Sequence, residues 1–149
     1  MALANNKKVN LDYEILDKYE AGIKLKGFEA KAVRNKMMSL DGSYVTIRGG
    51  EAFLVNAHIA PYQPKNTPKD YDPETTRKLL LNKKELLKLA GEDKKKGLTI
   101  LPISVYNKGR NIKVEIGIAT GKKKHDKRQD LKKKQAKRES QRTLKYNNE

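Results

Sequence analysis

The chain of 149 residues has no cysteine and no tryptophan. Without cysteine there is no zinc ribbon, no thiol nucleophile and no disulfide framework, and a cytoplasmic location is expected. Seven Tyr and two Phe are its only benzene-ring side chains, so stacking on bases must use few groups. The two histidines, His58 and His125, lie in different segments with no Cys or His partner in register, and no metal is expected. No apolar run approaches the ~20 residues of a membrane span, and no signal-peptide core follows Met1. There is no GxGxxG and no Walker loop, so nucleotide hydrolysis is unsupported. Ser43, Ser104 and His58 lack a nucleophile elbow around them, which speaks against an enzyme. Asp12, Glu14, Asp17 and Glu20 alternate with apolar residues and read as a solvent face rather than an acid–base pair. No cofactor is expected.

What the chain has in excess is positive charge. Lys and Arg number 34 against 18 Asp and Glu, a net charge of +16. A balance this basic points to a polyanion: nucleic acid first, an anionic membrane surface second. The scarcity of Trp, Phe and Leu in the basic segment opposes the membrane. Residues 122–149 carry 12 Lys/Arg and 4 Asp/Glu, so half of the net charge sits in the last 28 residues. This divides the chain into a flexible basic N-terminus over 1–10, a barrel domain over 11–121 and a basic tail over 122–149. The tail has helix formers but no apolar stripe. It is expected to be disordered alone and helical when an anion neutralises it.

Hydrophobic periodicity places the elements. Tyr13, Ile15, Tyr19, Ile23 and Leu25 alternate as a strand, with a kink expected at Ala21-Gly22. "GFEAKAVRN" suggests a short helix. "SYVTIR" and "EAFLVNAHIA" flank Gly49-Gly50 as a hairpin, and Asp41-Gly42 marks another turn. Pro61, Pro64, Pro68 and Pro73 mark a loop. "DPETTRKLLLNKKELLKLAGEDKKKG" is the strongest helical pattern, with Leu79, Leu80, Leu86, Leu87 and Ala90 on one face and Gly91 as the stop. Asn82 and Lys83 interrupt it, so two shorter helices are an alternative. "LTILPISVYN" and "NIKVEIGIATG" form a hairpin about Lys108-Gly109-Arg110. The chain is thus read as mainly β: an OB-type closed barrel with two or three flanking helices, or else a half-open α+β sandwich.

In "GKKKHDKRQ" (Gly121–Gln129) the charge is too dense and one-signed for an ordinary solvated face. Each cation that replaces a condensed counterion adds salt-dependent affinity for a phosphate backbone. His125 and Arg128 add planar groups able to stack on unpaired bases.

"YEAGIKLKGFEAKAVR", "DGSYVTIRGGEAFLVNAHIAPY", "YDPETTRKLLLNKKEL" and "GKKKHDKRQDLKK" together closely resemble the small protein B family, the bacterial SsrA-binding proteins of trans-translation. The resemblance covers roughly residues 6 to 140. It implies an OB-type barrel that binds the tRNA-like domain of transfer-messenger RNA (tmRNA). It implies entry into a stalled ribosome with elongation factor Tu and aminoacylated tmRNA, and a tail that folds as a helix in the empty mRNA channel. A monomer is expected when free. The other reading within RNA binding is a ribosomal or ribosome-associated OB protein with a basic arm.

By position, Glu20, Leu80, Asn82 and Lys113 match family residues linked to tmRNA contact, and Arg34 and Lys78 are added as phosphate contacts. Asn82 offers a donor and an acceptor amid an apolar helix face. Leu80 suits an unstacked base or else the core. Lys113 points to the barrel exterior. Glu20 accepts from a base or pairs with a nearby lysine. Gly121, Lys122, Lys123, Lys124, His125, Asp126, Lys127 and Arg128 match the start of the family's tail, expected at the decoding centre of small-subunit ribosomal RNA. Departures from the family pattern include Leu11 in place of a His, Thr75 in place of the first of two Arg, and Ala32 in place of a Ser.

Overall fold

The structure is a computed structural model that describes residues 2–121. Its elements in chain order are β1 (Ala2–Asn5), α1 (Val9–Asp12), β2 (Tyr13–Ile23), α2 (Gly27–Arg34), β3 (Met38–Ser39), β4 (Tyr44–Arg48), β5 (Glu51–Val55), β6 (His58–Ile59), β7 (Arg77–Leu80), α3 (Lys83–Asp93), β8 (Leu98–Lys108) and β9 (Asn111–Gly121). The strand order β8-β4-β5-β7-β2-β9, with β9 paired back onto β8, closes a ring of six antiparallel strands. Val45 opposite Ile100 completes the closure between β4 and β8. This is the closed barrel, and not the half-open sandwich. The first residues, expected to be flexible, instead add β1 to the free edge of β8 at Ser104–Tyr106.

Both hairpins fall where their turn residues place them. β4 and β5 meet at Gly49-Gly50, and β8 and β9 at Gly109-Arg110, with Lys108 opposite Asn111. Inward residues Val45, Leu54, Leu79, Ile100, Val105, Val114, Ile116 and Ile118 are almost fully buried. Ala32 and Val33 of α2 and Leu89 of α3 join the same core.

Two long strands change faces midway, and a bulge does it each time. In β2 the register shifts between Ile15 and Asp17, so Leu16 is the extra residue. Of the kink or bulge expected at Ala21-Gly22, the bulge is absent, since both residues pair in regular register with β9. Before the bulge Tyr13 and Ile15 pack on the outside of the barrel with Val9, Leu101, Ile103 and Ala119. After it Tyr19 and Ala21 pack inside. One inserted residue reverses which face a side-chain parity meets, so a single odd-numbered apolar series serves two cores. β8 shifts likewise between Pro102 and Ser104. Gly117 permits the outer cluster: a Cβ there would lie 2.8 Å from Ile103 Cδ1.

The segment around "RKLLLNKKEL" departs most from its periodicity. Arg77–Leu80 is a strand, with Arg77 and Leu79 inward and Lys78 and Leu80 outward. Only Lys83–Asp93 is helical, and Gly91 lies inside that helix rather than ending it. Leu87 points outward with 68% exposure, so the buried face is Leu86 and Leu89. Run-on leucines satisfy a helical period and a strand equally well over four residues, and β2 and β5 on either side decided for the strand.

Candidate nucleic-acid interface

The register of four neighbouring strands brings sequence-distant residues into one row. Tyr106 of β8 is opposite Lys113 of β9, Lys113 opposite Gly22 of β2, and Gly22 opposite Leu80 of β7. The row lies on the outside, since Ala21, Leu79 and Val114 beside it are core. Leu80 is 52% exposed and is not a core residue. Gly22 leaves bare backbone between its neighbours: a Cβ there would lie 3.2 Å from Leu80 Cβ and 3.6 Å from Lys113 Nζ. Lys113 has no ion-pair partner among the described residues.

Glu20 stands two residues before Gly22 on the same face. It accepts hydrogen bonds from the Tyr106 hydroxyl at 2.5 Å and from Lys108 Nζ at 3.0 Å. Its lysine partner is thus Lys108 of the β8–β9 hairpin. The Tyr106 bond, then Lys108, hold its carboxyl below the usual carboxylate range. Burial, followed by the bond to Glu20, pushes the Tyr106 phenol up to about 12. Tyr106 and Lys108 were not singled out from the sequence, although hairpin pairing counted back from Gly109-Arg110 sets Tyr106 opposite Lys113.

Asn82 is not on a helix face but at the N-cap of α3. Its Oδ1 accepts from the Glu85 N–H at 2.8 Å, and the Glu85 carboxylate accepts from the Asn82 N–H at 3.3 Å. This reciprocal cap uses the side-chain oxygen and leaves the amide NH2 exposed to solvent. Lys78 lies on the same face of β7 as Leu80 and is paired with Glu51 at 2.8 Å. Arg34 sits apart from the row, at the end of α2, where it donates to the Arg110 carbonyl of the β8–β9 turn at 2.9 Å. Gly121 is the exposed last residue of β9, opposite Tyr13. Lys122, Lys123, Lys124, His125, Asp126, Lys127 and Arg128 lie outside the described residues.

One arginine has a role that its sequence context conceals. Arg77 precedes Lys78, yet it is 3% exposed. Its guanidinium donates to the Glu29 carboxylate at 2.8 Å, to the Ala57 carbonyl at 2.7 Å, to the Pro73 carbonyl at 2.9 Å and to the Tyr71 hydroxyl at 3.1 Å. The Tyr71 hydroxyl also lies 2.9 Å from the Ile59 carbonyl and 3.2 Å from Glu29. The other Glu29 oxygen accepts from the Lys26 N–H at 3.0 Å. Phe28 meets the Tyr71 ring edge-on at 4.9 Å. This clamp ties the proline-rich loop and the start of β7 to α2, and every buried side-chain donor and acceptor among the described residues is satisfied.

The described residues hold no group of three or more His, Cys, Asp or Glu placed for a metal. His58 is exposed and faces Glu74 at 3.6 Å. No described helix is long and apolar enough to cross a membrane.

The family described as SmpB protein matches residues 3–146. An SsrA-binding protein from Enterococcus faecalis is 50% identical over 145 residues, covering 97% of this chain and 94% of its own. An SsrA-binding protein from Listeria innocua is 51% identical over 96% of this chain and 92% of its own. Another from the cyanobacterium Gloeothece citriformis is 47% identical over 96% and 92%. A solved chain from work described as "tmRNA-SmpB: a journey to the center of the bacterial ribosome" superposes with a TM-score of 0.68 at 45% identity, covering 80% of this chain and 84% of that one.

Proposed function

The chain belongs to the SmpB protein family, and on that premise we propose that it is a non-catalytic RNA-binding adaptor of trans-translation. It binds the tRNA-like domain of tmRNA through the outer face of β7, β2 and β9. The observation that carries this is the row Lys113–Gly22–Leu80: a free amine, bare backbone and an exposed apolar side chain side by side. Each suits a part of an unpaired nucleotide. The amine neutralises a phosphate, the glycine admits the sugar–phosphate close to the sheet, and Leu80 packs on an unstacked base. The Asn82 amide donates to a base edge or a ribose hydroxyl. Glu20 acts indirectly by holding Tyr106 and Lys108 beside Lys113.

The adaptor and aminoacylated tmRNA enter a stalled ribosome with elongation factor Tu, in the cytoplasm and away from membranes. Residues 122–149 then meet small-subunit RNA at the decoding centre and in the empty mRNA channel, and the nascent chain is tagged for degradation. Free protein is a monomer and needs no cofactor. Removing 122–149 is expected to leave tmRNA binding nearly intact and to abolish tagging. The direct test of the assignment is a competition gel shift of tmRNA against bulk tRNA over a salt series. Preference for tmRNA that persists as salt rises supports it; equal binding to both would favour a general ribosome-associated RNA binder.

A further inference from the structure

Gly22 faces Leu80, and the Lys24 N–H donates to the Lys78 carbonyl at 2.9 Å. Antiparallel register therefore sets Lys24 directly across from Lys78 on the outer face, one step along from Gly22 and Leu80. Like charges directly opposite destabilise a sheet unless a counter-charge offsets them. Glu51 neutralises Lys78 alone. Lys24 has no ion-pair partner among the described residues, and Lys26 has only the Phe28 ring, 6.0 Å from its amine. These lysines ring a cleft of about 320 Å³ whose walls also carry Thr75 and Thr76. Glu29 is the carboxylate on that wall, and its oxygens already accept from Arg77, Tyr71 and the Lys26 N–H.

From this arrangement we propose that the cleft between Lys24, Lys26 and Lys78 binds backbone phosphates of the RNA, extending the Lys113–Gly22–Leu80 row by one or two nucleotides toward α2. The inference rests on the RNA-binding reading and adds a subsite to it. Thr75 and Thr76 supply hydroxyl donors beside the amines. An anion seated there would neutralise Lys24 and Lys26, neither of which has an ion-pair partner among the described residues.

The full-length chain and its Lys24→Gln/Lys26→Gln variant are compared for binding the tRNA-like domain of tmRNA over a salt series. The variant is expected to lose roughly 1.4–1.8 from the log–log salt slope, since each phosphate contact contributes about 0.7–0.9. It should melt near the wild-type temperature. Lys94→Gln/Lys96→Gln, which removes equal charge beyond the far end of α3, should leave the slope nearly unchanged. Unchanged slope and affinity in the cleft variant, with wild type still preferring tmRNA to tRNA, would overturn the cleft and leave the function standing. Loss of that preference in wild type would overturn both. Inorganic phosphate is the second probe: if it shifts the Lys24 and Lys26 amine resonances at matched ionic strength while the cleft variant keeps the wild-type salt slope for RNA, the occupant is free phosphate and not RNA.

Discussion

Glu20 and Glu29 have nearly the same partners and opposite roles. Each accepts from a tyrosine hydroxyl and a long cationic side chain: Tyr106 and Lys108 for Glu20, Tyr71 and Arg77 for Glu29. Glu29 and Arg77 are 2–3% exposed, whereas Glu20 and Lys108 face solvent. A buried pair in which every polar side-chain atom has a partner fixes geometry, and removing one partner strands a charge. An exposed pair is screened by water and salt and contributes little to folding. The Glu29 clamp therefore sets where β7 lies, and the Glu20 cluster arranges what β7, β2 and β9 present. Position relative to solvent, not residue type, separates the two.

Breaking the buried clamp should have the largest effect. Arg77→Met is expected to destabilise the fold by about 3–5 kcal/mol, a fall in melting temperature on the order of 10 °C or more. Glu29→Gln/Arg77→Met should recover much of that, because no charge is left unpaired. A loss below about 1 kcal/mol for the single variant, read by thermal unfolding, would contradict the burial account.

The outer face should behave in the opposite way. Leu80→Ala/Lys113→Gln is expected to weaken tmRNA binding roughly tenfold or more at physiological salt while moving the melting temperature little. A large thermal loss with intact RNA affinity would place these residues with Glu29 instead.

Asn82 stands between the two cases, and a pair of variants divides its roles. Asn82→Ala removes the helix cap and should cost about 1 kcal/mol. Asn82→Asp keeps the capping oxygen and removes the amide donor, so it should preserve the melting temperature and weaken RNA binding. If Asp binds RNA as well as Asn does, the residue is a cap alone.

The smallest effect is expected at Glu20. Glu20→Gln should leave thermal stability nearly unchanged, and its signature is spectroscopic. Tyr106 ionises near 12 in the folded chain, above the ordinary tyrosine value of 10.0. Since the folded state holds that proton more tightly, the contribution to stability is full below about pH 10 and declines as pH rises toward 12. Ultraviolet titration, with Tyr106→Phe to assign the last phenol, should show the midpoint drop in Glu20→Gln without returning fully to the ordinary value, because burial persists.

The hairpins and the short helix after Gly27 could be read from turn residues and alternation, which left the closed barrel and the half-open sandwich both open; the pairing of β9 back onto β8 closes the barrel. Strand parity failed where bulges at Leu16 and near Ile103 exchange the faces of β2 and β8, because a one-residue insertion leaves no periodic signal in the sequence. The leucines of β7 read as helix because four residues fit either period. Glu20, Leu80 and Lys113 came from the family pattern, and the register shows that they share one face. Nothing local distinguishes Arg77 from Lys78; only the fold places one inside and the other outside. Asn82 was placed within a helix when it begins one, which changes the chemistry its side chain has to offer.

The most direct measurement is an amide and side-chain NMR shift map of the full-length chain on adding the tRNA-like domain of tmRNA. Gly22, Leu80, Lys113 and the Asn82 side-chain amide should shift or broaden most, with the buried Ala57 and Ile59 unmoved. Perturbations confined to another part of the barrel, such as Tyr44 and Val55 on the β4–β5 hairpin, would contradict the assignment of the β7–β2–β9 face to RNA.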